Sequence, residues 1–213
     1  PQGEAVGKLA VDDAQRAPAV KAFFRETSQT HLILGFRSFN AYDERQKTIR
    51  LLAALAGGGM SSRLFKRIRE KMGAGYYIGM SPNFFTDHGF TAVFTGVDNG
   101  RVPEVISAIL EEIARAKEQY VPAEELERSK NFIVGNLFSS LETSSAFAQF
   151  YGANEVLGKP LKTPQEIERE IRAITAKDIL QVAREIFVPE HLNLALVGPF
   201  GENGDDFLPL LSV

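Results

Sequence analysis

Few side chains in this sequence could carry chemistry, and the candidates crowd into residues 57 to 77. Gly57-Gly58-Gly59 precedes a helix start, where free backbone N–H groups attract anions. A phosphate-binding loop ends in Gly-Lys-Ser/Thr, however, and a dinucleotide fingerprint follows a strand. "GGGMSSRL" follows a helical pattern and lacks the lysine, so the three glycines read as a flexible helix-to-helix turn able to touch an extended ligand. Next come Arg63, Lys66, Arg67, Arg69 and Lys71, opposed only by Glu70, which for most of these side chains reads as a solvated helix face. Arg69 stands apart: it lies four residues after Phe65, at the edge of the apolar stripe, from where it could reach over a sheet. "EKMGAGYYIG" then offers two tyrosines but no nucleophile, acid or base beyond its flanking charges.

The remaining candidates are weaker. His31 in a strand expected to be buried, His88 in a turn and His191 at a strand entry lack a second histidine or a carboxylate at a metal-binding spacing, and read as structural. Ser61, Ser62 and the serines of "SSLETSS" lack nucleophile-elbow glycines and read as caps or solvent-facing groups. The chain contains no cysteine, which excludes disulfides, thiolate metal sites and a cysteine nucleophile and leaves the compartment open. A formal charge of −3 gives no bulk attraction to nucleic acid or anionic lipid. No apolar run approaches the ~20 residues that span a bilayer. At 213 residues, 44% of them apolar, the chain can bury a substantial core. It opens with Pro1, which reads as a processed product or an excised piece of something longer.

The elements that must position these residues follow from periodicity. Residues 1–17 mix Pro, Gly and charges and read as a linker or arm. Ala19 to Arg25 leans toward strand, Glu26 to Gln29 turns, and "THLILGF" is an apolar run, predicting a hairpin whose second strand is buried on both faces. Ile49, Leu52, Ala53 and Ala56 form a helical stripe ending at Gly57. Ser61 or Ser62 then caps a second helix with Leu64, Phe65, Ile68 and Met72 on its apolar face. "GYYIGMSPNFF" alternates Tyr76, Ile78 and Met80 against Tyr77, Gly79 and Ser81, and "HGFTAVFTGVD" pairs with it across a "TDHG" turn. Val102 to Lys117 and the segment opened by Pro122 are helical. Thr163-Pro164-Gln165-Glu166 is a capping box, Thr175 to Asp178 a weaker one, and "LNLALVG" is the last strand. The order β-β-α-α-β-β-α-α-α-α-α-β predicts an α+β fold, a mixed or antiparallel sheet with helices mainly on one face. A single domain over 18–200 and an irregular tail over 201–213 complete the expected organisation.

"AGGGMSSRLFKRIREKMGAGYYIG" resembles the second half of the pitrilysin/insulinase-type zinc peptidases, which include mitochondrial processing peptidase. "THLILGF", "PAEELERSKNFIVGNLFSSLET", "TPQEIEREIRAIT" and "NLALVGP" fall in that family's order, so the resemblance spans residues 18 to 200. It implies one half of a clamshell closing around an extended peptide. The zinc motif His-x-x-Glu-His would lie on another half, a zinc-bearing N-terminal domain or subunit, and none is present in this chain. The resemblance further implies an arginine and a tyrosine seven positions apart that face the zinc. Arg69 and Tyr76 have that separation, while Met72-Gly73-Ala74-Gly75 departs from the Arg-Gly-Leu-Ala common in relatives. Both groups could stabilise negative charge growing on an attacked peptide carbonyl, and neither need change protonation state. The implied function is the C-terminal half of a zinc metalloendopeptidase, inactive alone, with Gly57, Gly58 and Gly59 near the peptide. The alternative is a non-catalytic scaffold or peptide-binding subunit. No nucleic acid partner or membrane span is expected; a soluble chain of bacterial periplasm or cytoplasm fits.

Overall fold

A computed structural model describes residues 8–12, 14–201 and 204–212. Parts of the expected arm (residues 1–7 and 13) and tail (202, 203 and 213) therefore lie outside the described residues. The strands are β1 (Ala19–Phe24), β2 (Gln29–Ser38), β3 (Gly75–Phe84), β4 (Gly89–Asp98) and β5 (Leu192–Gly198). They form one mixed sheet in the order β1-β5-β2-β4-β3, with β1 parallel to β5 and the other pairs antiparallel. The helices are α1 (Gln46–Gly57), α2 (Val102–Glu118), α3 (Ala123–Ser139), α4 (Ser144–Val156), α5 (Pro164–Ala173) and α6 (Ala176–Ile186). The α+β fold class expected from the element order is the one observed.

The first two strands do not form the expected hairpin. The last strand of the chain, β5, inserts between them and pairs with both. Nor is β2 buried on both faces: Leu32, Leu34 and Phe36 are buried, whereas His31 and Ile33 are exposed. The reason is that the helices cover one side of the sheet. Leu32, Leu34, Phe36, Val93, Val97, Leu192, Leu194 and Leu196 meet Ile49, Leu52, Ile106, Ile109, Ile179 and Ile186 in one core, and among the described residues no helix covers the opposite face, where His31, Ile33, Phe90 and Phe94 are exposed. Each fully buried aliphatic or aromatic side chain contributes about 1.5–3 kcal/mol through removal from water. Phe207 and Leu211, in and just after a 3₁₀ segment at Asp205–Leu210, also enter this core.

Two glycines on the open face explain how its aromatic rings lie flat. A Cβ at Gly79 would stand 2.5 Å from the Phe94 ring, and one at Gly96 would stand 2.8 Å from the Tyr77 ring. These rings cross the neighbouring strands where a side chain is missing. β3 is an edge strand, and so it tolerates Pro82 within it.

The helix starts follow local chemistry closely. Thr163 accepts from the Glu166 backbone N–H while the Glu166 carboxylate accepts from the Thr163 N–H, and Thr175 with Asp178 repeats the reciprocal arrangement. Ser62 does not cap the helix after the triple glycine; its hydroxyl donates to the Gly59 carbonyl at 2.6 Å. Among the described residues no helix is long and apolar enough to cross a membrane.

Two stability measurements check this packing. α1 ends so close to β3 that a Cβ on Gly57 would sit 2.4 Å from the Met80 backbone nitrogen. Gly57→Ala is expected to destabilise the fold by about 1–3 kcal/mol in denaturant unfolding, because the helix end must move off the strand. Thr163→Ala, which removes the α5 cap, is expected to cost about 1 kcal/mol in the same measurement.

Candidate active site

The segment that presents Arg69 is a π-helical stretch, Phe65–Lys71, not the expected α-helix. Its wider turns show in the Met72 N–H donating to the Arg67 carbonyl at 3.0 Å, five residues back, and the Ala74 N–H reaching Ile68 at 2.9 Å. Gly73 closes it at φ 60°, a left-handed conformation that glycine adopts without steric cost. π-helical turns cost regular hydrogen-bond geometry and recur at functional sites.

Three arginines fasten this segment to the other elements. Arg63 makes a paired contact with Glu125 of α3, both nitrogen-to-oxygen distances 2.7 Å. Arg67 bonds Glu111 and Glu112 of α2, the latter at 2.9 Å, and Glu112 is buried. Arg101, at the start of α2, donates to the Met72 carbonyl at 2.9 Å while holding Glu104. The basic run is a solvated face at Lys66, Arg69 and Lys71, as expected for most of it, but not at Arg63 and Arg67. Its charges at 63 and 67 are spent on acids of α2 and α3, and Arg69 remains exposed on the other side.

A break in strand register then brings Tyr76 to Arg69. Gly75 pairs with Val97 and Tyr77 with Gly96, so Tyr76 has no partner in the ladder: a β-bulge. Simple alternation places Tyr76 on the inward face with Met80. The bulge instead leaves both Tyr76 and Tyr77 on the outside, 50% and 42% exposed. Tyr77 lies over the open face and its hydroxyl meets His31 Nδ1 at 2.9 Å, so His31 is a surface partner rather than a buried strand residue. Tyr76 turns toward the end of the sheet, where its hydroxyl donates to Asp98 Oδ1 at 2.8 Å.

Arg69, Gly73, Ala74, Gly75, Tyr76 and Asp98 line one open cleft of about 350 Å³. Arg69 Nη1 donates to the Gly75 carbonyl at 3.0 Å and to the Tyr76 carbonyl. The Asp98 carboxylate, by its hydrogen bond and its charge, raises the Tyr76 phenol above its ordinary pKa, with Gln29 pulling the other way. The phenol is therefore protonated at neutral pH. A fixed cation with N–H donors to spare and a phenol engaged by Asp98 thus share a solvent-open cleft, and the cation is suited to stabilising an anionic oxygen.

The three glycines do not line this cleft. Gly57 is buried against β3, a Cβ on Gly58 would strike Ala54, and Gly59, at φ 146°, lies near the Phe132 ring. Asp98 was not among the residues that spacing singled out. Its one sequence signal is its position at the end of β4, next to the bulge that no alternation pattern reveals. Among the described residues no group of three or more His, Asp or Glu could hold a metal ion.

Comparison with known proteins gives this chain a family. Residues 7–133 match the family described as "Peptidase M16 inactive domain". An uncharacterized zinc protease of Rickettsia bellii is 36% identical over 182 residues, covering 84% of this chain and 43% of the relative. The uncharacterized zinc protease YmxG of Bacillus subtilis is 33% identical over 177 residues, covering 83% and 43%. Among solved structures, a protease from Helicobacter pylori superposes with a TM-score of 0.85 at 17% identity, covering 93% of this chain and 48% of that one. A peptidase M16 inactive domain from Pseudomonas fluorescens superposes at 0.83 and 19% identity, covering 95% and 48%. The chain thus spans less than half the length of these relatives. With a family match over more than half of its residues and the same fold in the solved structures, this chain belongs to the peptidase M16 inactive-domain family.

Proposed function

We propose that this chain is the charge-stabilising C-terminal half of a zinc metalloendopeptidase, acting opposite a zinc-bearing half on the same or another polypeptide. The observation that carries the proposal is the convergence of Arg69 and Tyr76 on one open cleft, produced by a π-helical turn and a β-bulge. The zinc would supply Lewis-acid polarisation of the peptide carbonyl and activation of water. The part played by this chain is electrostatic. Arg69 carries a permanent charge and keeps donors beyond the one turned onto the Gly75 and Tyr76 carbonyls. The Tyr76 phenol adds a neutral donor once its hydroxyl turns away from Asp98. A charge held in place before reaction, as on Arg69, stabilises the developing oxyanion without reorganising at that moment.

The substrate that fits an open sheet with an exposed edge is an extended peptide. β3 offers an unpaired edge beside the cleft, where backbone bonds give affinity with little sequence selectivity. A second reading, a non-catalytic scaffold or peptide-binding subunit, draws support from the engagement of the Tyr76 hydroxyl by Asp98.

Cleavage of a quenched fluorescent peptide library separates the two. The expected result is activity only when this chain is combined with a zinc-bearing half, with kcat lowered about 10²–10³-fold by Arg69→Ala or Tyr76→Phe at unchanged melting temperature. Full activity in both variants would sink the catalytic assignment; a stable complex that cleaves nothing would favour the scaffold.

A further inference from the structure

Arg69 and Tyr76 differ in one respect that decides how the cleft can work. A guanidinium has five N–H donors, whereas a phenol has one. Arg69 therefore remains a donor toward the cleft after bonding the chain's own carbonyls, but Tyr76 does not. Its single proton points at Asp98 Oδ1, 2.8 Å away, and the phenol turns only lone pairs toward the rest of the cleft. That polarity is wrong for an anionic oxygen. Resting on the catalytic reading of Tyr76, we propose that Asp98 is a positioning residue that holds the Tyr76 hydroxyl in a resting orientation, from which it must be released before it can donate to a substrate.

The placement of Asp98 supports this role over mere proximity. Asp98 ends β4, paired across the ladder with Gln29 of β2, and is exposed on the same cleft as the ring it holds. Tyr76 lies off the ladder at the bulge and is half exposed, so the sheet does not lock its ring. The groups that face the pair are Gln29 from β2, Arg69 from the π-helical turn, and Arg101 with its partner Glu104 from the start of α2. A carboxylate in the cleft also opposes negative charge forming nearby, so its removal acts in the same direction as release of the hydroxyl. The raised pKa of the phenol agrees with a carboxylate partner.

Two readouts test the proposal on the Asp98→Ala variant, which, unlike Asn, leaves no side-chain acceptor for the hydroxyl. In the chain labelled with [¹³Cζ]tyrosine, with the Tyr76 resonance identified by its loss in Tyr76→Phe, the phenol is expected to titrate at lower pH than in the wild type. In the chain combined with its zinc-bearing half, kcat is expected to rise about threefold to tenfold with KM unchanged, the range spanned by one exposed hydrogen bond. An unaltered titration means the contact is not made in solution and overturns the proposal. A lowered titration with kcat unchanged or reduced means the contact restrains nothing, and also overturns it. Failure of the underlying catalytic reading has a different signature, full activity in Tyr76→Phe or an inactive wild-type assembly, and overturns both.

Discussion

One-sided burial of the five-stranded sheet is the constraint on which the rest of the molecule depends. With helices on one face only, each strand must keep its inward residues inward, because a slip of one residue would exchange the buried and exposed sets. β2 and β4 obey this throughout their length, Leu32, Leu34 and Phe36 facing the same core as Val93 and Val97. The open face is then free to carry side chains the core does not need. Phe94 and Tyr77 lie flat across it over Gly79 and Gly96, and His31 joins Tyr77 there. The close seating of α1 on β3 through Gly57 holds the edge strand to this register.

Against that fixed register, the bulge before Tyr77 is a local exception with a local consequence. An extra residue in one strand leaves the partner's pairing intact on both sides, so the core is unaffected while Tyr76 is re-aimed. The π-helical turn does the same for Arg69. Leu64 and Ile68 stay buried, the arginines at 63 and 67 reach α3 and α2, and the extra width of the turn leaves Arg69 over the beginning of β3. Two irregularities on consecutive elements, joined by Gly73 in its left-handed conformation, thus build one cleft.

The ion pairs around the turn work as fasteners. Exposed pairs generally contribute little to stability, and the Arg63–Glu125 and Arg67–Glu112 contacts matter for the geometry they impose. Both are partly buried and link a short irregular segment to long regular helices. An unsupported irregular turn would let the donors of Arg69 wander, and these contacts hold it over the start of β3.

Much of this was legible in the sequence for physical reasons. The helical stripes, the capping boxes at Thr163 and Thr175 and the alternation of β4 are local patterns, and local hydrogen bonding and periodic burial decide them. The seven-residue separation of Arg69 and Tyr76 was equally visible, through resemblance to a family. The sequence alone thus determined the class of fold and the identity of two candidate residues. The insertion of β5 between β1 and β2 depends on contacts more than 150 residues apart in the chain, which no local pattern records. The exposure of His31, the bulge at Tyr76 and the meeting of its hydroxyl with Asp98 likewise belong to tertiary structure alone. Each depends on which face the helices cover and where a ladder breaks, and only the assembled sheet decides that.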